Sequence, residues 1–158
     1  MIIKPRVPFI SVTAAHLDNI EYDQSGLLET QITIVIRAEN DNVKAHASFS
    51  ETSFTLSLHG MVIAKLAGNP FEVRKNSSVD FNYVVPSSPI PLDPIQMNFV
   101  DLSLKQDKIV FDLKGNVRTQ WRVGLLGSVK FWGHLDCHLQ FRPSNGTYTH
   151  SRCTTKAR

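Results

Sequence analysis

The sequence is short of most features that announce a function. Its 158 residues include only two cysteines, Cys137 and Cys153, too few for a disulfide framework. No apolar run approaches the ~18 residues of a membrane-crossing helix. The opening "MIIKPRVPF" has no apolar core of signal-peptide length. Excess charge is small: 17 Lys and Arg against 14 Asp and Glu leave +3. That falls short of the dense cationic stripe of a nucleic-acid protein, so no nucleic-acid partner is expected. There is no glycine-rich phosphate loop after a strand, no nucleophile elbow or triad, and no pair of carboxylates at working distance. The expectation is a chain that is not an enzyme and takes no cofactor.

The six histidines are scattered, at positions 16, 46, 59, 134, 138 and 150. In "HLDCH", His134 and His138 would converge on a metal if they lay on a helix. On a strand they stand ~13 Å apart and share none, so no metal site is expected.

What the sequence has is alternation, within a composition of 42% hydrophobic and 20% charged residues that suits one globular domain. Ile32, Ile34 and Ile36 alternate with polar or outward residues, as do Phe54, Leu56 and Leu58, and Val79, Phe81, Tyr83 and Val85. These read as half-buried antiparallel strands. Turn signals separate them: "ENDN" at 39–42, His59-Gly60, Gly68-Asn69-Pro70 and the proline-rich 86–94. The pattern predicts an all-β fold, an antiparallel β-sandwich with one short α-helix. Asp93 suits the N-cap of that helix and Pro94 its first position. Ile95, Phe99 and Leu102 would form its apolar face, and the helix should end near 105–107.

The longest alternation runs over 109–123, with Ile109, Phe111, Leu113, Val117, Trp121 and Val123 on odd positions. A two-residue hairpin at Gly115-Asn116 would mix core and solvent sides, so one continuous strand is expected, bent or bulged at Gly115. The same parity returns over 129–141. A five-residue turn pairs the two segments with Trp121 opposite Phe131 and Arg122 opposite Lys130.

After Phe141, a three-residue loop Ser144-Asn145-Gly146 with Gly146 left-handed would set Cys137 directly opposite Cys153, within disulfide reach. A two-residue turn there slips the register and leaves two buried thiols. The last strand, polar on both faces, reads as an edge strand. Two glycosylation sequons, at Asn76 and Asn145, fall in expected loops and, with a disulfide, point to the secretory route. The even face of the C-terminal strands collects Arg118, Arg122, Lys130, Trp132 and His134. That face is either ordinary solvated surface or a basic binding face for acidic lipid headgroups or cell-wall polysaccharide.

The stretch "KIVFDLKGNVRTQWRVG" resembles a motif of the plant late embryogenesis abundant group-two proteins. These share the water-stress and hypersensitive-response domain and include the NHL, or harpin-induced-like, membrane proteins. "ITIVIRAENDNVKAHASFSE", "NPFEVRKNSSVDF" and "CHLQF" with a later cysteine are similar to further segments of that family, in the same order. Asp41 replaces the family's turn proline, and "PFEVR" lacks its Tyr-Gln-Gly. The resemblance implies an immunoglobulin- or fibronectin-III-like sandwich over residues 9–158, with its helix at about 94–106. Residues 1–8 would be a juxtamembrane linker following an N-terminal transmembrane helix outside this chain. It further implies a non-catalytic ectodomain facing the apoplast at the plasma membrane. The expected roles are defence or abiotic-stress response, through contacts with protein, wall or acidic lipid. The alternative is a lipid-binding or lipid-transfer module with an apolar groove between its sheets, to which the even-face valines Val35, Val84 and Val110 would point.

Overall fold

The computed structural model describes residues 8–23, 25–41, 46–86, 89–122 and 127–157. Along the chain the elements are β1 (Phe9–Tyr22), β2 (Leu27–Asn40), β3 (Ala47–Leu58), β4 (Met61–Gly68), β5 (Phe71–Val73), β6 (Ser77–Pro86), β7 (Ile90–Pro91), α1 (Pro94–Gln106), β8 (Ile109–Arg122), β9 (Ser128–Phe141) and β10 (Tyr148–Ala157). They form two antiparallel sheets. One has the order β1-β2-β6, with β7 beside β2; the other has the order β10-β9-β8-β3-β4, with β5 beside β3.

The alternating residues explain why two sheets are needed. Ile32, Ile34 and Ile36 of one sheet and Phe54, Leu56, Phe111, Leu113, Leu139 and Phe141 of the other are all buried in one core. Each sheet has one apolar face, and stacking the two removes both from water. Trp121 joins that core, set edge-on to Phe131 with ring centroids 5.0 Å apart. Strand β8 is continuous, as the parity argument required. Its neighbour is shifted from expectation by two residues, however: Trp121 lies opposite Val129 and Thr119 opposite Phe131. A two-residue shift keeps every side chain on its face, so burial alone does not select between the two registers. Arg122 consequently faces Ser128, and Lys130 faces Gln120.

Gly115 carries no bulge; its pairing with β9 runs through unbroken. It sits directly opposite Phe54, and a Cβ there would lie 2.4 Å from that ring. The missing side chain makes room for a core aromatic. The bulge lies instead on the facing strand, between Ser50 and Ser53 of β3, where Glu51 takes a left-handed φ of 48°.

Helix α1 starts as the sequence predicts. Asp93 Oδ1 accepts from the Gln96 amide at 2.8 Å, and Gln96 Oε1 accepts from the Asp93 amide at 2.9 Å, a reciprocal cap. Its buried face is not the expected one. Val100 and Ser103 are buried, with Met97, Phe99 and Leu104 partly so, whereas Ile95 is 73% and Leu102 53% exposed. The helix lies across the end of the sandwich rather than over a sheet face. Met97 there covers Gly26 and Phe99 stacks on His59 at 4.0 Å.

Candidate functional site

The two cysteines form a disulfide, with Cα atoms 4.1 Å apart. They are directly opposite, as the loop argument required, but by another route. The turn closes on Arg142 and Thr147, with the Gly146 amide donating to the Arg142 carbonyl at 2.7 Å, and four residues lie between. One extra residue between Tyr148 and His150 then restores the register that brings Cys153 against Cys137. Gly146 is left-handed, at φ 74°, and its carbonyl accepts from the Leu17 amide at 3.0 Å, binding the turn to β1. Asp107, at the end of α1, accepts from the Ser144 amide and hydroxyl, both at 2.8 Å. Those two bonds hold its carboxyl below the usual carboxylate range. The bond thus staples an edge strand whose turn is also anchored on two sides.

Outward from the core, the outer face of the six-stranded sheet carries the predicted basic residues. Arg118 is directly opposite Trp132, its guanidinium 5.4 Å from the ring centroid, a cation–π contact. His134 Nδ1 lies 2.6 Å from Asn116 Oδ1, and His138 hydrogen-bonds Asp112 in the same manner. Lys114 lies opposite Asp136. The side chain of Arg122 lies outside the described residues, as does Val123. The face is therefore of mixed charge, with acids interleaved among the bases, rather than uniformly cationic. Among the described residues no cluster of three or more His, Cys, Asp or Glu is placed to hold a metal ion.

A cavity of about 440 Å³ opens on this face. Its origin is local. Strand β4 pairs with β3 only from Thr52 onward, and β5 pairs with β3 only up to Phe49. Between them the chain crosses at Asn69-Pro70, and the bulge of β3 at Glu51 falls in the same stretch. Its lining includes two bases, Arg118 and Lys130, two acids, Glu51 and Glu72, and the side chains of Ser48, Ser50 and Gln120. Ser48 Oγ is 3.4 Å from Glu72 Oε1. Glu51 and Glu72 belong to no motif of the sequence. The available signal was the switch of core parity from Ala47 and Phe49 to Thr52, Phe54 and Leu56, which marks a bulge.

Of the remaining candidates, Asn76 is exposed in the turn before β6 at φ 50°, and Asn145 is exposed with its Oδ1 accepting from the Thr147 amide at 3.0 Å. Val35, Val84 and Val110 sit on outward positions of their strands, Val84 57% exposed, so they line no groove between the sheets.

The class defined by these features is an antiparallel two-sheet β protein with one end-capping helix and a disulfide at its edge. No family model and no curated protein matches the chain. Among solved structures it is similar to a protein from Archaeoglobus fulgidus, known from a crystal structure, at 11% identity and a TM-score of 0.37. That match covers 92% of this chain and 98% of the other. It is also similar to an Arabidopsis thaliana protein known from its solution structure, at 10% identity and a TM-score of 0.35, covering 94% and 83%. The solution structure of a "putative late embryogenesis abundant (LEA) protein" aligns at 11% identity and a TM-score of 0.32, covering 96% and 71%. At these identities and scores the likenesses say nothing of what this chain does.

Proposed function

We propose that this chain is the non-catalytic extracellular domain of a plasma-membrane-anchored plant protein. It would serve defence or abiotic-stress response by contacts of its outer surface with protein, cell wall or membrane. The Cys137–Cys153 disulfide carries the reading, because such a bond persists in an oxidising compartment. The sequence resemblance supplies the plant, anchoring and stress elements. Residues 1–8 then serve as linker and 9–158 as the domain. Asn76 and Asn145, both exposed, carry N-glycans.

The finer assignment, an immunoglobulin- or fibronectin-III-like sandwich, is supported by strand order. Strands β1, β2 and β6 stand where A, B and E stand in that fold. Strands β3, β8 and β9 stand where C, F and G do, β4 flanks β3 as C′, and β10 is an addition outside G.

The test uses the full-length protein in plant cells. Glycosidase treatment should shift its mass by two glycans, and protease added outside intact protoplasts should remove the domain. A protein resistant to external protease and free of glycan overturns the reading.

A further inference from the structure

The cavity beside Glu51 holds two bases and two acids, and none of the four is in an ion pair among the described residues. Opposite charges that share a cavity without pairing leave room for a ligand that carries both signs. We propose that this cavity binds a zwitterion of the ethanolamine phosphodiester type, with the phosphate at Arg118 and Lys130 and the primary ammonium at Glu51 and Glu72.

Five considerations select that class. The volume, about 440 Å³, lies in the range of small-molecule sites, roughly 300–1,000 Å³. Arg118 is held over Trp132, which fixes a planar donor fork of the kind that meets phosphate oxygens two at a time. A polyanion is disfavoured, because Glu51 and Glu72 would repel it. A quaternary ammonium is disfavoured too, because it needs free aromatic faces. Trp132 already carries Arg118, and the Phe71 ring stacks on Phe49 at 5.0 Å and lies 4.5 Å from Phe81. A primary ammonium donates three hydrogen bonds, for which two carboxylates and the Ser48 and Ser50 hydroxyls are the matching acceptors.

Position adds a source for the ligand. β1 begins at Phe9, opposite Glu39 near the end of β2. The next residue, Asn40, donates from Nδ2 to the carbonyls of Val73 and Arg74 at 3.2 and 3.3 Å, tying that end to β5 beside the cavity. The cavity therefore opens near the end at which the chain enters the domain. Under the anchoring proposed above, on which this part rests, that is the membrane side, and the zwitterion is a phospholipid headgroup.

The test titrates the 158-residue chain with glycerophosphoethanolamine, followed by nuclear magnetic resonance. Saturable shifts are expected at Ser50, Gln120 and the Arg118 side chain. Arg118→Ala, and separately Glu51→Gln with Glu72→Gln, should each weaken binding about tenfold while leaving the spectrum otherwise dispersed and the disulfide intact. Glycerophosphocholine and glycerol 3-phosphate should bind about tenfold more weakly, each lacking one half of the match.

The proposal falls if no saturable shift occurs, if glycerophosphocholine binds equally, or if Arg118→Ala changes nothing. It also falls if trigalacturonate shifts the same residues at lower concentration. Vesicles containing phosphatidylethanolamine that compete with the soluble probe identify the lipid as source; vesicles that do not compete assign the site to a free zwitterion. A titration that succeeds while the protease and glycosidase tests fail keeps the cavity and removes the membrane.

Discussion

Strands β8 and β1 are each 14 residues long, and they behave in opposite ways. Strand β8 pairs with β9 through every residue without a shift, so its inward residues keep odd numbers from Ile109 to Trp121. Strand β1 slips twice against β2, between Val12 and Ala14 and between Leu17 and Asn19. Its core-facing residues are Ile10 and Val12, then Ala15 and Leu17, then Ile20 and Tyr22. Each bulge inserts one residue and reverses parity, so "FISVTAAHLDNIEY" shows no period of two although every part of it is a strand. A strand without bulges carries its faces in the sequence; a bulged one conceals them.

The comparison breaks most sharply under single-residue deletion. Removing Asn116 from the unbulged β8 would turn one end of the strand inside out, and no folded protein should be recovered. Removing Thr13 from the first bulge of β1 would instead straighten the alternation. Folded protein should then survive at a loss of about 1–2 kcal/mol. Spectral dispersion and denaturant midpoints distinguish the two. If both deletions are tolerated, or neither is, the contrast between the strands is wrong.

The next effect is at the edge. Replacing both cysteines by alanine frees a loop of sequence separation 16 and should cost about 3 kcal/mol. Because β10 is the edge strand, hydrogen exchange should rise there first and leave the β8–β9 ladder protected.

Gly115→Ala tests the middle of the unbroken ladder. The new Cβ meets the Phe54 ring at 2.4 Å, and a destabilisation of about 1–3 kcal/mol is expected. Phe54→Leu in the same chain should recover part of it. An unchanged melting temperature for Gly115→Ala would mean that the ring and the glycine are not in contact.

The smallest effect concerns acid. Asp107, Asp18, Asp23 and Asp80 are all held below the usual carboxylate range, by Ser144, by Thr33, by Ser25 and by Arg37 respectively. A lowered folded value gives stability that is present above the unfolded value of about 4 and is lost as pH falls through the folded one. Melting temperature should be level above about pH 5 and decline below about pH 4. Asp107→Asn, which keeps a residue tolerant of the left-handed backbone at φ 53°, should show a shallower decline. An equally steep decline would place the acid sensitivity elsewhere.

Legibility followed the same physics at the site. Counting along the chain with a three-residue loop sets Cys137 opposite Cys153. The longer loop and the added residue after Tyr148 cancel, so the register at the cysteines is unchanged. For α1, the Asp93 cap is local and was readable. The buried face was not, because a helix laid across the end of a sandwich is held by Met97, Val100 and Ser103. The spacing of Ile95, Phe99 and Leu102 was equally apolar, and no sheet waited for it.

By itself the sequence determined which residues of the long strands face inward, where the helix starts, and which cysteines can meet. These depend on periodicity, capping and chain counting, all short-range. Tertiary structure alone decided that β9 sits two residues from its apparent best register, that Gly115 shelters Phe54, and that Glu51 and Glu72 share a cavity with Arg118 and Lys130. Those outcomes depend on which strands become neighbours. A bulge or a two-residue shift changes the neighbours across strands while leaving the alternation within each segment untouched.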